Sequence, residues 1–249
     1  TYDAERLFGQ WVDLDSNKRW LLWLWSKLVA PRDSYYGLVI AESESVEALP
    51  QVAAMAVLDR SLGLEHLSQR RRFLAQLGLD QLPAPFWQRF TTLPTPLERL
   101  RALSGLSERE RREAVLAVAE LLEGQVDEEM WLPVLEVCYP ELAFYLTAYP
   151  FGSHPELVEY FRLYTRSRVC DRLLPQLTEM AERAAQNKTL WNFPTRGNAV
   201  DAASSGRART VWLDAVGLEW AGLISELLRR EGHRVRVHVA RANLPSTTE

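Results

Sequence analysis

Residues 1–186 carry apolar residues at helical spacing almost throughout, and strand-like alternation is nearly absent from them. That periodicity restricts this stretch to an all-helical domain with short Gly-, Pro- and Ser-containing connections. Trp20, Leu21, Trp23, Leu24 and Leu28 follow the three-and-four spacing of a buried helical face, which Pro31 closes. The next segment, SYYGLVIAES, fits a helix or a short strand. Val46 to Leu62 resumes the helical period and stops at Gly63. Ser107 and Glu110 form a capping box that opens a helix running to Gly124. Ser153, with Pro155 behind it, starts another, and Cys170 to Ala185 reads as a further amphipathic helix. Pairs of helices of repeat-like size occur without a convincing repeat.

The texture changes at Gln186. Residues 187–208 are polar and broken by Pro and Gly, as in a linker or surface loop. Residues 209–249 then follow a different grammar. TVWLD is a short apolar run suited to a strand covered on both faces. Leu218, Leu223, Ile224, Leu227 and Leu228 form one helical stripe ending near Arg230, with Gly232 just past the helix end. RVRVHVA alternates strictly, Val235, Val237 and Val239 opposite Arg234, Arg236 and His238. Strand, helix and strand in this order predict a βαβ unit with parallel strands and a right-handed crossover. The expected fold is mainly α: a helical N-terminal domain followed by the first βαβ unit of an α/β domain.

In a parallel pair both strands end at one sheet edge, where open α/β sheets bind ligands. Asp214 ends the first strand, and ANLPSTTE follows the second. A carboxylate and a hydroxyl-rich loop therefore meet, with the N-terminus of the intervening helix aimed at the same edge and favouring an anion. A carboxylate is a hard ligand for a divalent cation, and a cation beside a hydroxyl lowers its pKa for in-line attack on phosphorus. Asp214 also suits a helix-capping or sheet-edge carboxylate, and Thr248 an ordinary loop threonine. Asn243 could orient the loop, whereas Glu219 and Glu249 read as solvated. His66, His154, His233 and His238 share no ligand spacing.

TVWLDAVGLEWAGLI followed by ARANLPSTTE resembles the start of the PglZ domain, an alkaline-phosphatase-superfamily domain of BREX bacteriophage-defence systems. The matching elements are Leu213-Asp214-Ala215 and Pro245-Ser246-Thr247-Thr248. WLLWLWSKL is similar in kind to the tryptophan-rich segments ahead of that domain in longer family members. The resemblance implies that Asp214 is a metal ligand and that Thr248 is the nucleophile or metal-bridging hydroxyl. Thr247 takes that role if the loop register differs by one. It further implies zinc, magnesium or manganese as cofactor, a nucleic-acid or nucleotide phosphoester as substrate, and other BREX defence proteins as partners. Family members hold their metals with further Asp and His residues downstream, including an Asp-x-x-x-His-like element. The chain is therefore expected to be the N-terminal portion of a larger phosphatase or phosphodiesterase, inactive alone, with its helical part as a docking module. The alternative is a non-catalytic helical scaffold.

Charge bears on the remaining classes. The formal net charge of -4 at pH 7 does not favour a nucleic-acid-binding module. Arginine dominates its 29 basic residues, as in GC-rich bacterial coding. The runs Arg70-Arg71-Arg72 and Arg109, Arg111 and Arg112 read as solvated helix faces, and the tryptophans as packing residues. Cys138 and Cys170 read as buried free thiols. No signal-like segment opens the sequence and Lys27 interrupts its most apolar stretch, so the expectation is a soluble cytoplasmic protein without a membrane span.

Overall fold

The computed structural model describes residues 3–152, 154–195, 197 and 216–241. They are mainly helical. The helices are α1 Ala4–Phe8, α2 Ser16–Val29, α3 Tyr35–Glu42, α4 Leu49–Met55, α5 Leu64–Gln76, α6 Ala84–Phe90 and α7 Pro96–Ala102, then α8 Glu108–Glu123, α9 Glu128–Cys138, α10 Pro140–Leu146, α11 Pro155–Val169, α12 Pro175–Gln186 and α13 Ala221–Arg230. Among the described residues the only bridge is an isolated parallel one between Thr195 and Arg241. The chain divides into two compact units, Thr1–Ala143 and Phe144–Glu249. No described helix is long and apolar enough to cross a membrane.

In the first unit α5 packs on α3, α4 and α9, and α7 packs on α8 and α9. Phe8, Trp11, Tyr36 and Phe73 join α1, α3 and α5 through ring contacts; Phe73 lies edge-on to Phe8 at 4.9 Å and 4.6 Å from Tyr36. SYYGLVIAES is a helix. Tyr35, Tyr36, Gly37, Val39 and Ile40 are all buried, so apolar residues surround α3 and the segment has no one-sided period. Ser34 caps it, accepting from the Gly37 amide. The expected Val46–Leu62 helix is shorter, α4 followed by a 3-10 turn over Ala56–Asp59.

The capping box at Ser107 and Glu110 forms as expected, and α8 ends with Gly124 at its C-cap. Gly124 is right-handed there. The left-handed residue is Gln125, with φ 51°, whose amide donates to Leu122 O while the Val126 amide donates to Leu121 O. This is the Schellman pattern with a Cβ in the position that favours glycine. Gln125→Gly is expected to stabilise the first unit by about 0.5–1 kcal/mol, read as a rise in denaturant midpoint at unchanged slope. The same device shortens the expected Cys170–Ala185 helix at its start. Cys170 is the C-cap of α11, Asp171 is left-handed at φ 47°, and the Arg172 amide reaches back to Ser167 O at 3.0 Å. The next helix starts only at Pro175. No glycine stands at or beside Asp171, so glycine does not mark that stop in the sequence, whereas Gly124 marks the end of α8 one residue ahead of Gln125. Ser153, the expected start of α11, lies outside the described residues; His154 occupies the cap position.

Two further expectations are corrected. The α2 helix forms, capped by Asp15, but only Trp23 of the named apolar set is buried; Trp20, Leu21, Leu24 and Leu28 face solvent. Trp23 donates to Ser43 Oγ at 2.7 Å, which fixes the buried side. Arg70 is not solvated. It lies fully buried beside the Tyr35 phenol and donates to Ala54 O, with its guanidinium 5.8 Å from the Phe86 ring. Burial pushes the Tyr35 hydroxyl up to about 12, opposed by Arg70. Arg71 is also structural, donating to Val137 O near the end of α9. Arg109, Arg111 and Arg112 are exposed, as expected. Cys138 is a buried free thiol, and burial pushes it up to about 12; Cys170, also expected to be buried, is half-buried.

Candidate functional site

Asp214, Thr247 and Thr248, together with Asn243 and Glu249, lie outside the described residues, as does TVWLD. What the structure describes is the segment between them. A 3-10 turn over Leu218–Trp220 leads into α13, so the predicted crossover helix is present. Its stop is the predicted one. Gly232 is left-handed at φ 82°, its amide donates to Arg229 O at 2.9 Å, and the His233 amide donates to Leu228 O at 3.0 Å. This is a complete Schellman motif, with both of its bonds formed past the C-terminal end of α13.

The helix is seated on the 144–149 segment of the same unit. A Cβ on Gly222 would lie 3.2 Å from Phe144 O and 3.3 Å from Thr147 O, so glycine allows a close backbone approach. Trp220 packs on Tyr145 with ring centroids 4.6 Å apart, and the Arg230 guanidinium lies 4.8 Å from the Phe144 ring. Burial and the Glu219 carboxylate together raise the Tyr145 hydroxyl above its ordinary value. Ser225 is the buried residue of α13. Leu223 and Ile224 are half-buried, and Leu227 and Leu228 of the predicted stripe are exposed.

After α13, residues 233–240 have no regular secondary structure, and the predicted RVRVHVA strand makes no ladder among the described residues. At its end the Arg241 amide donates to Pro194 O at 2.9 Å, forming the parallel bridge with Thr195. The Arg241 guanidinium lies 4.4 Å from the Trp191 ring. The residue that leads into ANLPSTTE is thus anchored to the 191–195 segment. No signal in the sequence marked this anchor, because it joins the end of the predicted strand segment to the polar stretch assigned as linker.

Among the described residues no three His, Cys, Asp or Glu side chains gather as a cation site. His66 Nε2 lies 2.7 Å from Asp33 O, and the His154 ring lies against Phe193 at 4.5 Å. The described residues therefore do not by themselves fit a divalent metal. Comparison of the whole chain with protein families, curated proteins and solved structures found no match.

Proposed function

We propose that the chain belongs to a PglZ-like metal-dependent phosphatase or phosphodiesterase of a bacterial BREX anti-phage system. The observation that carries the proposal is the pairing of Leu213-Asp214-Ala215 with Pro245-Ser246-Thr247-Thr248 across one helix. The presence and glycine-capped stop of α13 support it, because a crossover of that length is what would return the second strand beside the first. In this proposal the Thr248 hydroxyl attacks phosphorus, with Thr247 in its place if the register differs by one. Asp214 helps to hold zinc, magnesium or manganese, which would stabilise charge on the phosphoryl oxygens. Further Asp and His ligands belong to the rest of the parent enzyme, and the helical residues serve as the docking module for other defence proteins. A nucleic-acid or nucleotide phosphoester is the proposed substrate.

The test is cleavage of a nitrophenyl phosphodiester by the full-length parent protein with each metal in turn. Activity is expected to need the metal and to fall to background in both Asp214→Ala and Thr248→Ala. Unchanged turnover in either variant, with the fold intact by circular dichroism, rejects the assignment of that residue. The second possibility, a non-catalytic helical scaffold, draws support from the exposed apolar side of α2. It predicts no metal-dependent turnover at all.

A further inference from the structure

Among the described residues two charged side chains are buried, Glu110 and Arg70. Glu110 accepts hydrogen bonds from the amides and hydroxyls of Ser104 and Ser107, so the protein itself solvates its charge. Arg70 has no such shell. It is 1% exposed and donates once, from Nη2 to Ala54 O at 3.3 Å, and its Nε is buried without an acceptor. It takes part in none of the ion pairs of the described residues.

The groups around Arg70 supply little negative charge. Ala53 and Ala54 lie at the C-terminal end of α4, whose carbonyls carry only a fraction of an elementary charge. The Tyr35 hydroxyl donates to Ala53 O at 2.6 Å. The Phe86 ring is 5.8 Å from the guanidinium, near the limit of a useful cation–π contact. The other charge that acts on the Tyr35 hydroxyl is Arg60, a second cation, which is paired with Glu42. A buried lysine or carboxyl group can escape such a place by becoming neutral, but a guanidinium keeps its charge.

We propose that Arg70 is the base of a buried anion site in the first unit, which takes one small inorganic anion of the halide class on the Nε edge of the guanidinium. A water at Nε would meet its hydrogen-bonding need but would leave the charge unbalanced, and the charge is the larger of the two costs. Size follows from burial. A carboxylate or phosphate carried on a larger molecule has no access to Nε, whereas a monatomic ion enters through a local opening. Because α5 packs on α3, α4 and α9, the bound ion would act on the stability of the first unit as a whole.

The test is thermal melting of the whole chain in sodium chloride and in sodium gluconate at matched ionic strength, gluconate being too large to enter. Above the dissociation constant, the melting temperature of the first unit is expected to rise by about 4 °C for each tenfold increase in chloride, with no such rise in gluconate. Arg70→Met removes the charge and keeps much of the volume. It should lose the chloride response and gain on wild type as chloride is withdrawn. A purely structural arginine would leave the gap between the two proteins independent of chloride. Should the variant not fold, bromide-soaked crystals of the wild type decide, with an anomalous peak expected within hydrogen-bonding reach of Nε. Two outcomes overturn the proposal. One is an equal chloride response in wild type and Arg70→Met, and the other is a bromide crystal with water alone beside Nε.

Discussion

Gly105→Ala is expected to destabilise the first unit by about 4 kcal/mol and to lower its melting temperature by roughly 10 °C. Two costs add at this position. Gly105 has φ 70°, where a Cβ costs about 1–2 kcal/mol. That Cβ would also run into the carbonyl of Cys138, the last residue of α9, and the nearest obstacle is backbone rather than a side-chain tip that could turn away. The loop between α7 and α8 must therefore move, or α9 must. Gly78→Ala separates the terms. It lies in the same unit at φ 74°, but its Cβ would meet only Val12 Cγ1 at 3.0 Å. It should cost about 1–2 kcal/mol, the backbone part alone. A thermal or urea melt that places the two variants together would refute the close approach of Gly105 to α9.

Glu110→Ala should cost about 3 kcal/mol, several times the cost of the same change at Glu98. Both glutamates close a capping box, Glu98 with Thr95 and Glu110 with Ser107. Glu98 is exposed, so water replaces what its removal frees, and Glu98→Ala is expected to cost about 0.5–1 kcal/mol. Glu110 is buried and accepts four hydrogen bonds: from the Ser104 amide at 2.7 Å and hydroxyl at 2.6 Å, and from the Ser107 amide at 3.1 Å and hydroxyl at 2.9 Å. Truncation strands the buried Ser104 amide and hydroxyl without an acceptor. Glu110→Gln keeps an oxygen for Ser104 but turns an NH2 toward the Ser107 amide, so it should fall between wild type and alanine. Urea midpoints at constant slope measure all three. Equal costs at Glu98 and Glu110 would mean that the Ser104 bonds contribute nothing.

For the candidate site, the sequence carries more than the described structure does. Asp214 and the Pro245–Thr248 loop are legible as a motif, and the helix between them, with its Gly232 stop, forms where the pattern predicts. The anchoring of that region was not legible. Trp220 on Tyr145 and Arg241 beside Trp191 join residues dozens of positions apart, and no local period encodes such a pair.

Much of the helix content was written locally, in the apolar spacing, the Ser107 capping box and Pro155, because those signals act within one or two turns, whereas SYYGLVIAES stayed open between helix and strand. The stop of α8 was legible at Gly124, but the stop at Asp171 was not, since a residue other than glycine takes the left-handed conformation there against its intrinsic preference. Nor could spacing say which side of an apolar helix is covered. Arg70 is inside and Leu28 outside, the reverse of what hydropathy assigns. Burial is a property of the neighbours that arrive from distant sequence, and only the assembled unit determines which ones arrive.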